Sequence, residues 1–172
     1  MDPTDLGLLT LRLAVGGIMF AHGAQKAWGW WGGPGYARWR AAVQSMGFRP
    51  AALFAPVSIA AELSGFLLVF GFLTPLVGAM IVAQAVAIIG KAHLPKGFWN
   101  TSGGFEYPLA LGAGAAAITL TGPGAYAVDA AIGFALAPEA RIALVLLGIV
   151  GGLAALAYPQ LTMDRSTASD QG

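Results

Sequence analysis

Cysteine is absent from the chain. Disulfides, thiol redox chemistry, thiolate-held iron–sulfur clusters and thioether-attached haem are therefore excluded. Compartment stays open, because membrane helices do not need disulfides. Charge is also scarce: 10% of residues are Asp, Glu, Lys or Arg, against about 25% in an ordinary soluble domain. The 9 basic and 8 acidic residues nearly cancel and form no basic cluster, so no nucleic-acid partner is expected. No nucleotide-binding glycine loop, nucleophile–base pairing or metal-ligand cluster is visible, and no metal is expected.

What fills the chain is apolar. Of the 172 residues 57% are hydrophobic, the mean hydropathy is +0.71, and apolar runs long enough to cross a bilayer recur along the length. The fold class is all-α: a polytopic membrane protein with a four-helix transmembrane bundle, a short interfacial helix and a fifth, C-terminal transmembrane helix. Span one runs from about Leu6 to Trp28, with Asp5 as its cap. Its start lacks a basic n-region and cleavage site, so the span is expected to be retained. Trp28, Trp30 and Trp31 mark the headgroup level, and Gly32-Gly33-Pro34-Gly35 breaks the helix. Tyr36 to Phe48 is amphipathic and reads as a surface helix, with Tyr36, Trp39, Val43 and Met46 on one side.

Span two covers roughly Ala51 to Phe72 and turns tightly at Gly71–Pro75 into span three, which ends near His93. The polar stretch LPKGFWNTSGGFEYP comes next. Span four, Phe105 to Leu120, has only about 16 residues, roughly 24 Å against a hydrocarbon core of ~30 Å. Either the loop before it folds inward or the bilayer thins. Residues 1–136 form the bundle, 137–159 the added helix and 160–172 a disordered tail. Lys26, Arg38, Arg40, Arg49, Lys91, Lys96 and Arg165 fall on one side, against Arg141 on the other. The N-terminus is accordingly expected outside and the basic loops in the cytoplasm. Glycines 16, 17, 112, 114, 148, 151 and 152 read as close helix contacts.

The chemistry-bearing residues concentrate at one end of the bundle. Arg12, His22 and Lys26 fall within roughly 80° on one helix face. Such a stripe is costly in lipid unless other helices meet it. Glu62 lies in the middle of span two, where an acid has no route to water along its own helix. It reads as a ligand or proton carrier, or as a structural ion pair with Arg12 or Lys26. Arg12 can equally brace backbone carbonyls, and Lys26 can snorkel past the tryptophans. His22 leans towards function, although a neutral imidazole also serves as a plain interhelical bond. Lys91 and His93 close span three, where the helix dipole alone accounts for them. Glu106 opens span four, as an acid in a first turn or as part of the site. A haem held by the two histidines is the lesser reading.

Taken in order, LRLAVGGIMFAHGAQKAWGWWGG, AELSGFLLVFGFLTPL, HLPKGFWNTSGGFEYPLAL and LTGPGAYAVD resemble the DoxX family of small bacterial membrane proteins, over about Leu6 to Phe134. The run after Pro138 lies outside the family's four-helix core. The resemblance implies a bacterial cytoplasmic (inner) membrane setting linked to quinones, since the family includes a subunit of a thiosulfate:quinone oxidoreductase and members tied to quinone or oxidative stress. The expected function is an integral-membrane oxidoreductase, or the membrane subunit of one, with quinone as cofactor and a soluble redox protein or a second copy as partner. Glu62, His22, Lys26 and Glu106 are the candidate catalytic residues. Trp28, Trp30, Phe105, Arg12, Lys91 and His93 are candidate binding residues, with Lys91 and Lys96 as attractors for an anionic reductant. A small-solute transporter and a scaffold recruiting soluble enzymes through Arg38 and Arg40 are the alternatives.

Overall fold

The computed structural model describes residues 2–169, with side chains described through Tyr158. Helix α1 (Pro3–Trp28) starts where proline tolerates its missing N–H. Its cap is Asp2, whose carboxylate accepts from the Thr4 N–H at 2.8 Å. Asp5, expected to do this, instead accepts from the Ala125 N–H, also at 2.8 Å, and pins the distant 122–127 loop. Gly29, at φ +74°, stops the helix in the left-handed conformation that suits glycine. Helix α2 (Gly35–Ser45) is the expected short amphipathic element: Val43 is buried, whereas Arg38, Arg40 and Gln44 are exposed.

Helices α3 (Ala51–Leu63) and α4 (Gly65–Phe70) are one span, interrupted at Ser64. The return turn places Gly71 at φ +67° and Leu73 at φ +52°. A left-handed leucine is unfavourable. Here both amides around it are claimed: Leu73 N–H and Thr74 N–H each donate to the Asp129 carboxylate at 2.8 Å. Helix α5 (Thr74–Ile88) runs on through a widened π-turn, Ile89–His93, and a tight turn, Leu94–Lys96. Helix α6 (Glu106–Thr121) has 16 residues. A single turn, α7 (Val128–Ala131), leads to α8 (Pro138–Ser169). The backbone of α8 stays helical past residue 160, where a disordered tail was expected; residues 170–172 lie outside the described residues.

Among the described residues four spans are long and apolar enough to cross a membrane: Pro3–Trp28, Ala51–Phe70, Thr74–Lys96 and Pro138–Tyr158. Among the described residues no strand occurs, and the chain is an all-α polytopic membrane bundle. Phe105 N–H and Glu106 N–H donate back to Gly97 O and Phe98 O, folding 97–105 over the bundle end.

Small residues set the crossings. A β-carbon on Gly16 would sit 2.6 Å from Gly65 O, so α1 and α4 touch backbone to backbone. Likewise, β-carbons on Gly148 and Gly152 would each meet a carbonyl of α5, Ala79 O and Ala83 O, at 2.6 Å. Thus α8 lies on the flank of α5, leaving Leu146, Leu147, Val150 and Leu153 exposed on its far side. The core between α1, α4, α5 and α6 is built from Val15, Met19, Leu68, Val77, Ile81 and Ile118.

Candidate functional site

A cavity of about 460 Å³ opens between α1, α3, α5 and α6 at the end of the bundle where the basic loops lie. Met19, Ile81, Ile88 and Leu111 give it an apolar floor. His22, Lys26, Glu62, Gln84, His93, Asn100 and Tyr107 supply its polar groups. That mixture of carbon walls and a few convergent polar atoms is the usual make-up of a small-molecule site.

Glu62 is its centre. The residue is 5% exposed, and one carboxylate oxygen, Oε1, takes both the ion pair from Lys26 Nζ and a hydrogen bond from Gln84 Nε2 at 3.2 Å. The other oxygen, Oε2, is buried and has no hydrogen-bond partner among the described residues. A buried carboxylate with one oxygen satisfied and one bare is costly for a structural ion pair and useful for a ligand. Lys26 is held on its other side by Trp39 of α2, whose ring centroid lies 3.9 Å from Nζ. The indole N–H of Trp39 in turn donates to Ser58 Oγ at 2.8 Å. Two helices and the interfacial element therefore fix the ammonium.

The imidazoles are positioned separately. His22 Nε2 lies 3.3 Å from Tyr107 Oη. His93 Nδ1 is 2.7 Å from Gly103 O; because a carbonyl only accepts, Nδ1 carries the proton and the Nε2 of a neutral His93 is left with its lone pair. The π-turn Ile89–His93 puts His93 there, since one extra residue in the turn rotates the side chains beyond it relative to a regular α-helix.

Of the residues expected to meet, the structure brings together His22, Lys26, Glu62 and His93. It does not bring in Glu106: that carboxylate accepts from the Asn100 N–H at 2.8 Å and closes the 97–105 loop. Trp28, at the end of α1, and Trp30, just past the turn at Gly29, meet with ring centroids 4.9 Å apart and are half exposed, off the cavity lining. Phe105 packs edge-on against Phe98 at 5.4 Å. Lys91 lies 5.8 Å from the Phe48 ring, on the other side of α5 from the cavity. Arg12 is fully buried at the opposite end, donating to Tyr126 O. Of its expected partners, it takes the backbone carbonyl and not Glu62.

Four contributors lie outside the sequence-based expectation: Gln84, Tyr107, Asn100 and Trp39. Gln84 has a readable signal, being the one polar side chain between Pro75 and Gly90. Trp39 falls on the apolar side of α2, with nothing in the pattern to pair it with Lys26. Tyr107 and Asn100 depend on how the 97–105 loop folds, which periodicity does not encode.

No curated protein and no solved structure gives a match to the chain. The DoxX family model matches residues 7–94, a stretch that holds α1 to α5 and includes His22, Lys26, Glu62, Gln84 and His93, but ends before Asn100, Tyr107 and α8. With half of its length so matched, and the charged residues of the cavity inside that half, the chain belongs to the DoxX family.

Proposed function

We propose that the protein is an integral-membrane oxidoreductase, or the membrane subunit of one, that works with the quinone pool of the bacterial cytoplasmic membrane. The observation carrying this reading is the bare, buried Oε2 of Glu62 in a ring-sized cavity. Reducing a quinone to a quinol takes two electrons and two protons. The electrons come from a bound reductant or a soluble redox partner. The residues of the cavity handle placement and protons. Lys26 and His22 are within the same cavity as Glu62 and offer N–H donors to a carbonyl oxygen as negative charge grows on it. The bare Oε2 of Glu62 first takes up a proton from water and then delivers it to the ring oxygen, and Tyr107, bonded to His22, gives the second and is reprotonated from water. The basic loops lie at the cavity end, so the N-terminus is assigned outside and the cavity to the cytoplasmic half.

Purified protein titrated with a short-chain quinol, whose ring O–H can donate to the bare Oε2 of Glu62, tests this directly. Glu62→Gln and His22→Ala are each expected to weaken binding by about ten-fold, the loss of one charge-assisted hydrogen bond. Unchanged affinity in both variants removes the site. Polar groups on several helices also suit a small-solute path; flux into proteoliposomes without redox change decides for that reading instead.

A further inference from the structure

Behind the polar cavity, between α2, α3, α5 and α8, runs a second space of about 240 Å³. Its walls are carbon apart from Trp39, Ser58 and Gln84. Gln84 and Ile88 line both spaces. So does the boundary at α3, where Ala61 faces the groove and its neighbour Glu62 the cavity. Trp39 is a groove wall that also carries Lys26. One layer of side chains separates the two.

The groove is closed towards the basic end and open towards the bilayer. Phe48 and Phe54 rings meet at 5.4 Å, and Phe54 and Tyr158 rings at 6.1 Å, sealing the end where α3 begins and the apolar run of α8 stops. On the flank between α3 and α8, Val57 is 54% exposed. The α8 wall is made of Gly151, Gly152 and Ala155, which leave the space unfilled. A β-carbon on Gly151 would meet only Ala83 Cβ, at 4.0 Å. A molecule in this groove therefore comes from the lipid, not from water.

We infer that the groove holds the apolar tail of the same molecule whose polar head binds at Glu62. The substrate class is then a lipid-soluble amphiphile with an isoprenoid or alkyl chain, and not a small water-soluble quinone. This rests on the head-group reading above. A head bonded to Glu62 lies beside Gln84, and its chain has only to pass that side chain to enter carbon-lined space.

The test uses the full-length protein in one detergent at one concentration, so that partition of the probes cancels between variants. The probes are a benzoquinol carrying a ten-carbon tail and the same head with a methyl group in its place, both with an O–H to donate to Glu62. Gly151→Phe fills the groove, and Val57→Phe fills it from the facing wall should the first variant fail to fold. Either is expected to lower affinity for the tailed probe by about ten-fold, the loss of roughly two buried methylene groups, and to leave the methyl probe within about two-fold. Equal losses for both probes, or no loss for either, overturn the groove while the head-group site stands. If neither probe binds the unaltered protein, both readings fall together.

Discussion

Glu62 carries two donors on one oxygen and none on the other, and its ammonium partner is pressed against an indole ring. The side chains of Lys26 and Glu62 are 13% and 6% exposed, so neither charge recovers much solvation from water. Removing one partner of such a pair strands the other. Lys26→Met is therefore expected to destabilise by about 3–5 kcal/mol, and adding Glu62→Gln to restore most of that. Thermal unfolding of the two single variants and the double variant in detergent measures the coupling; additive effects would show that the pair does not interact. Sequence alone reaches the acid, the ammonium and both histidines, because an ionisable group in an apolar run stands out by type. Glu106 is legible as an acid in a first helical turn, yet the loop that absorbs it is fixed by hydrogen bonds from Phe105 and Glu106 to Gly97 and Phe98. No periodicity announces those bonds.

At the scale of helices, the runs of apolar residues locate all four long spans, and the shorter helix α6, to within a few positions. The interfacial α2 is equally legible, from charge on one face. What they leave out are the departures from regularity: the interruption at Ser64, the π-turn at Ile89–His93 and the cap at Asp2. The cap turns on one hydrogen bond, from the Thr4 N–H to Asp2, which no periodicity encodes. Glycine packing shows the difference between type and place. Gly16 and Gly17 look alike in sequence, but a β-carbon on Gly17 meets nothing within 4 Å, whereas one on Gly16 runs into Gly65 O and Val69 N. Gly16→Ala is expected to cost about 1–3 kcal/mol through overpacking. Gly17→Ala should be neutral or stabilise by up to about 1 kcal/mol, as alanine does inside a helix. Unfolding midpoints of the two variants side by side check this, and equal effects would mean that α1 and α4 do not cross there.

Taken whole, the molecule has a polar cluster at each end, and the two differ in kind. Both leave buried polar atoms bare among the described residues, Glu62 Oε2 at the cavity end and Arg12 Nε, Arg12 Nη1 and Thr74 Oγ1 at the other, but only the first belongs to a residue lining the cavity. At the other end Asp129, fully buried, holds the turn between α4 and α5 through two amides. Its charge acts on Arg12, which also reaches Tyr126 O and lies against Gly71. Asp129→Asn offers one acceptor where two N–H groups need one each, and is expected to cost about 2 kcal/mol, roughly 4–8 °C in melting temperature. Quinol affinity should be unaffected, since the cavity lies at the far end. A variant that melts normally, or that loses binding, would contradict this division.

The reach of Arg12 to a carbonyl 114 residues further on also bears on how the chain is made. At roughly 5–20 residues per second of synthesis, the first helix waits about ten seconds for its partner. During that interval the guanidinium must stay in the insertion machinery or at the water boundary. A nascent chain arrested before residue 126 should thus hold its opening helix poorly in the bilayer, and release of the next few residues should let it settle.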